Sequence, residues 1–61
     1  MNAKQIRDLR VANGIKQKEL AELLGIPLGT WSNVELGNVP LKPEVRERVI
    51  QLFNELGIHY D

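Results

Sequence analysis

The stretch from Gln17 to Gly37, QKELAELLGIPLGTWSNVELG, constrains the fold of this chain more than any other. Ala21 is small, Gly25 follows four positions later, and apolar residues flank both. Two helices that cross steeply need a small residue where their backbones approach. A tight turn between them favours glycine, which takes a left-handed conformation at little cost. Leu20, Ala21, Leu23 and Leu24 make the apolar side of a helix from about Lys16 to Leu24, which Gly25 ends. Ile26-Pro27 opens the next helix, proline being pre-set for an early helical position, and Gly37 stops that helix after Leu36. Trp31 and Val34 stand three apart and share a face, which turns back toward the preceding helices. The other side, with Leu28, Gly29, Ser32 and Asn33, faces outward.

The flanking segments are helical too. Asn2 and Gln5 have the spacing of a capping box, with Met1 and Ile6 as its hydrophobic staple. Ile6 and Leu9 share a face of the first helix, Val11 and Ala12 fill in, and Asn13-Gly14 is a stop signal. Pro40 and Pro43 frame a rigid loop from Gly37 to Lys42. The fourth helix starts near Pro43-Glu44, where an acidic first turn suits the helix dipole. Val45, Val49, Leu52, Phe53 and Leu56 recur along it at helical spacing. Gly57-Ile58 reads as a glycine cap with an apolar lid, and His59, Tyr60 and Asp61 as a short tail. The expectation is an all-α bundle of four helices, or five with a vestigial last turn, forming a single domain over residues 1–61.

Composition excludes several classes of function. At 61 residues the chain buries one small core, so tight helix packing or oligomerisation should assist it. With 43% hydrophobic and 26% charged residues it has the makeup of a folded domain, not a disordered one. It has no cysteine and a single histidine, His59, which leaves nothing to build a thiolate or histidine metal centre. No cofactor and no small-molecule substrate is expected. No nucleophile–base pair, phosphate loop or metal set supports an enzyme. No apolar run approaches the ~18 residues of a membrane span, and the amino terminus lacks a signal-peptide pattern, so the expected location is cytoplasmic. Net charge is zero, but residues 1–18 carry +4, residues 19–41 carry −3 and residues 42–61 carry −1. A locally basic face is therefore available to phosphates.

Two short helices around a glycine turn, the second outward-facing and held at its base, form a helix-turn-helix, whose commonest use is to put the second helix into the major groove of DNA. The spacing resembles the phage repressor and Cro type of this motif, the XRE family, with its lambda-repressor-like fold. The residues that carry the resemblance are Gln17, Leu20-Ala21, Gly25-Ile26, Trp31 with Val34, and Glu35-Leu36-Gly37. Ile6-Arg7-Asp8-Leu9-Arg10 resembles that family's first helix, and Leu52-Phe53 with Leu56-Gly57-Ile58 its closing segment. The likeness covers about residues 4–58. It implies an ion pair between Arg10 and Glu35, and a Gln17 amide that holds a phosphate and braces the recognition helix. It implies bases or nearby phosphates as partners of Leu28, Gly29, Thr30, Ser32 and Asn33, and backbone contacts for Asn38 and Lys42. Departures from the pattern are Lys16 and Pro27 where Ser or Thr caps are usual, and Leu28 and Gly29 where Gln, Arg or Ser often stand.

Neither Leu28 nor Gly29 can make a bidentate bond to a base edge. Leu28 can touch a thymine methyl, and Gly29 can admit a close backbone approach. Asn33 has the amide geometry suited to adenine, or else belongs to a solvated polar face. Gln17 is a phosphate contact or an ordinary exposed first-turn residue. Lys16, Lys18 and Lys42 serve phosphates or solubility. Trp31 and Phe53 belong to the core. The function expected is a transcriptional regulator, a repressor by preference, binding double-stranded operator DNA as a homodimer with the third helix in the major groove. Candidate dimer surfaces are the exposed side of the fourth helix and the tail from Ile58 to Tyr60. The competing reading is a protein-interaction module on the same fold, antitoxin-like or repressor-antagonist, anchored by an outward Leu28.

Overall fold

The computed structural model describes residues 1–59; Tyr60 and Asp61, and with them part of the expected tail surface, lie outside the described residues. Among those residues the chain forms four α-helices: α1 (Ala3–Ala12), α2 (Gln17–Leu24), α3 (Leu28–Leu36) and α4 (Pro43–Glu55). The described residues contain no strand and no fifth helix after α4. α3 packs on both α1 and α2, and α4 lies against α2. The result is an all-α helix-turn-helix fold.

Local chemistry sets the helix boundaries. α1 is opened by a reciprocal capping box in which the Asn2 side chain accepts from the Gln5 amide at 2.8 Å and the Gln5 side chain accepts from the Asn2 amide at 2.8 Å. Met1 packs against the core beside it. α2 starts at Gln17, one residue later than the spacing suggests, because Lys16 is extended and outside the helix. An ammonium cannot accept a hydrogen bond, so its cap is one-sided: Glu19 accepts from the Lys16 amide at 3.1 Å. Pro27 likewise stands just outside α3 as its cap residue.

All four helices end in the same backbone turn. A glycine with positive φ (Gly14, Gly25, Gly37 or Gly57) follows the helix. The amide after it bonds to a carbonyl five residues back: Ile15 to Arg10 at 3.0 Å, Ile26 to Ala21 at 3.0 Å, Asn38 to Asn33 at 2.9 Å and Ile58 to Phe53 at 2.8 Å. This is the Schellman arrangement, usually accompanied by an apolar contact from the residue after the glycine. Three of the four ends conform, with an isoleucine packed on or in the core. The end of α3 does not.

The core is Ile6, Leu20, Ala21, Leu24, Trp31, Val34, Val49, Phe53 and Ile58. Trp31 and Phe53 are fully buried, as expected of both. Four positions expected on the apolar faces are exposed. Val11 stands about 140° around α1 from Ile6 at 100° per residue and, with Ala12, points to solvent. Leu23 falls about 100° from the centre of the Leu20–Ala21–Leu24 face and is also exposed. Leu56 lies past the last turn of α4, where the chain bends away through Gly57. Ile58 departs the other way: offered as part of a dimer surface, it is buried in the core of its own chain. Among the described residues the Trp31 indole N–H and Arg46 Nε have no hydrogen-bond partner.

Candidate nucleic-acid interface

A buried junction ties three helices together behind α3. Glu35, in the last turn of α3, is buried together with Arg10 from the last turn of α1. Arg10 Nε donates to Glu35 Oε2 at 2.9 Å and Arg10 Nη2 to Oε1 at 2.9 Å, a bidentate pair. Nη1 of the same guanidinium donates to the Ile15 carbonyl at 2.8 Å, closing the link between α1 and α2. Gln17, the first residue of α2, donates from Nε2 to Glu35 Oε1 at 3.1 Å. Desolvating an ion pair is offset only when geometry is good and the remaining hydrogen-bonding capacity is satisfied. Here both carboxylate oxygens accept, Oε1 twice, and all three guanidinium nitrogens donate. The junction fixes how α3 is oriented against α1 and α2.

The opening turn of α3 and its outer surface are open. Trp31, Val34 and Glu35 point inward and are buried, whereas Leu28, Gly29, Thr30 and Asn33 are exposed and Ser32 is half-buried. No side chain caps the first turn. The Pro27 carbonyl takes the Trp31 amide at 3.0 Å, and the Leu28, Gly29 and Thr30 amides belong to the opening turn, whose N–H groups lack intrahelical acceptors. An ideal Cβ at Gly29 would meet nothing within 4 Å, so its glycine is not demanded by the packing of the chain.

The Asn33 amide is engaged within the chain. Its Nδ2 donates back to the Gly29 carbonyl at 3.0 Å, and its Oδ1 accepts from Asn38 Nδ2 at 3.3 Å. Lys16 and Lys18 are exposed at the start of α2, and Lys42 is the exposed cap residue of α4. Lys42 and Thr30 line one cleft of about 290 Å³, between the start of α3 and the α3–α4 loop, together with Pro27, Val34, Val39 and Leu41. Among the expected site residues the structure thus brings together Gln17 with Arg10 and Glu35, Asn33 with Asn38, and Thr30 with Lys42.

A profile of the helix-turn-helix domain family matches residues 3–57, nearly the whole chain. The chain belongs to that family. No curated protein and no solved structure matched it. A helix-turn-helix domain of this kind is a DNA-binding fold and is typically non-enzymatic. Among the described residues no group of three or more His, Cys, Asp or Glu could hold a metal ion, and no helix is long and apolar enough to cross a membrane.

Sequence reasoning did not reach three contacts of this helix-turn-helix domain. Arg48 of α4 donates from Nη1 to the Leu24 carbonyl at 3.0 Å and from Nη2 to the Leu23 carbonyl at 3.2 Å, supporting the end of α2. A cationic side chain at a helix C-terminus satisfies orphan carbonyls and suits the dipole, but in one sequence nothing links positions 24 apart. Arg10 to Ile15 is the second. The third, Asn33 to Asn38, left a visible trace: two asparagines five apart on either side of a helix-stopping glycine.

Proposed function

We propose that this domain is a phage repressor/Cro-type transcriptional regulator that binds operator DNA as a homodimer and inserts α3 into the major groove. The observation that carries this reading is the contrast across α3: an uncapped, exposed first turn on a helix whose other side is locked by Trp31, Val34 and the Arg10–Glu35–Gln17 junction. A reading helix has to be accessible at its N-terminal end and immobile at its base. In this reading Leu28, Gly29, Thr30, Ser32 and Asn33 lie along the groove-facing side. Gln17 uses one amide N–H on Glu35 and keeps its second for a phosphate, so the residue that touches DNA also touches the ion pair. Lys16, Lys18, Asn38 and Lys42 supply further backbone contacts. A single 61-residue domain makes few such contacts, and two copies related by a two-fold axis double them on a palindromic site. Occupying an operator blocks access to it, which makes repression the simplest output.

The test is duplex binding as a function of salt. Log affinity should fall linearly with log salt, and Lys18→Ala or Lys42→Ala should each reduce the slope by about 1 while weakening all sequences alike. Selection from a random DNA pool should return a palindromic site. If no duplex is bound at low salt, the DNA reading fails. The exposed Leu28 (43% accessible) on a chain of zero net charge then favours the protein-interaction module.

A further inference from the structure

We propose that Asn33 acts in DNA recognition as a positioning residue: its amide clamps the start of the α3–α4 loop onto α3, and it does not read a base. The inference rests on the DNA-binding reading above and deepens it. After α1, α2 and α4 the residue following the glycine is Ile15, Ile26 or Ile58, and its side chain seals the turn against the core. After α3 the same place holds Asn38, whose backbone amide bonds to the Asn33 carbonyl at 2.9 Å while its side chain bonds to the Asn33 side chain at 3.3 Å. The Val39 amide also reaches the Asn33 carbonyl, at 3.3 Å. A polar pair therefore stands where the other three turns have an apolar lid, and both halves of Asn33, main chain and side chain, hold the loop.

This bonding competes with base reading. A bidentate adenine contact needs the amide oxygen and one amide N–H aimed together at one base edge. In Asn33 the oxygen is turned to Asn38 and the nitrogen back along the helix to the Gly29 carbonyl, 3.0 Å away. Turning the amide to a base forfeits both bonds. Apart from the Gly37 amide, which donates to the Val34 carbonyl at 3.1 Å, the loop has little else at its start. The 290 Å³ cleft separates Val39, Leu41 and Lys42 from Pro27 and Thr30, and the side-chain bond of Asn38 to Asn33 is the only side-chain hydrogen bond of residues 37–42 among the described residues. Leu41 packs on the core further along. Asn33 thus sets where Asn38, and the loop leading to Lys42, stand relative to α3, so its influence on DNA reaches the phosphates through the loop.

The experiment has two arms. In the first, a preferred duplex is selected from a random pool with the unaltered protein. Asn33→Ala, Asn38→Ala and the double variant are then measured on that duplex and on each of its single-base-pair variants. The expected result is a uniform loss of about 3–10-fold on every duplex, the scale of one hydrogen bond, with unchanged base preference and a double variant no weaker than Asn38→Ala alone. Relaxed discrimination at one base pair in Asn33→Ala but not in Asn38→Ala overturns the proposal. In the second arm, amide exchange in the free protein should be faster at Asn38 and Val39 in Asn33→Ala, by about 3–10-fold. Unchanged exchange there overturns the clamp while leaving the DNA reading intact. Absence of binding to any duplex at low salt overturns the DNA reading, and the recognition role with it, whatever the exchange shows.

Discussion

The two ends of α3 are built on opposite terms. At its C-terminal end Glu35 is buried in a bidentate pair with Arg10, Gln17 adds a third bond, and the Gly37 turn returns the Asn38 amide to the helix. At its N-terminal end Pro27 offers no side-chain cap, Leu28 and Gly29 are exposed, and the space around Gly29 is empty. One helix of nine residues is thus anchored at one end and presented at the other. The difference teaches how so small a domain can hold an unprotected helix terminus steady: the rigidity is supplied from about two turns away, by side chains of two other helices.

The comparison breaks most directly at the anchored end. Glu35→Ala strands Arg10 in the interior without its partner, which for a buried pair costs about 3–5 kcal/mol. Against a total stability of about 5–15 kcal/mol for ordinary domains, a 61-residue chain should be largely or wholly unfolded by it. Urea denaturation followed by Trp31 fluorescence measures this, because that single tryptophan is fully buried in the core. A loss below about 1 kcal/mol, the value of exposed pairs, would show that the junction does not anchor α3. At the presented end the sign reverses. Gly29→Ala places a methyl group where nothing lies within 4 Å, at an ordinary helical φ in the opening turn, so stability should rise by about 0.4–1 kcal/mol through the lost freedom of the unfolded chain. The same change should weaken duplex binding if the glycine is there to admit DNA. A variant that is more stable and binds as well as before separates Gly29 from the interface.

The anchored end was the more legible of the two in the sequence, for a physical reason. Ala21, Trp31 and Val34 are constrained by packing and Gly25 by a left-handed turn, and such constraints recur in spacing, so they mark the fold. Helix ends were readable for the same reason: glycine followed by isoleucine is a local signal. What failed was the width of the apolar faces. Val11, Leu23 and Leu56 look like core residues, yet a four-helix domain of this size has too few neighbours to cover every leucine and valine, and the three stay exposed. The candidate site was only partly legible, because an outward side chain is chosen by a partner that the sequence does not contain. Asn33 illustrates this. Its residue type suits adenine, but its bonds to Gly29 and Asn38 depend on how the chain returns after Gly37, which no property of position 33 alone reveals.

The smallest effect should come from Pro27→Ser, and it sharpens the comparison because two terms oppose each other. A serine at the cap can accept from the Gly29 or Thr30 amide and contributes about 1 kcal/mol. Removing the proline frees the unfolded chain and costs about 0.4–1 kcal/mol where the native φ is already compatible, as it is at Pro27 with φ of −56°. The net change should lie within about 0.5 kcal/mol, which makes stability alone a poor reporter. Amide exchange is the better one. If the opening turn of α3 is free in the parent, exchange at Gly29 or Thr30 should slow in the serine variant, while exchange in the Glu35 turn stays the same. Should both ends slow together, α3 behaves as one unit. The contrast between a held end and an offered end would then have to be replaced by a helix that is stiff along its whole length.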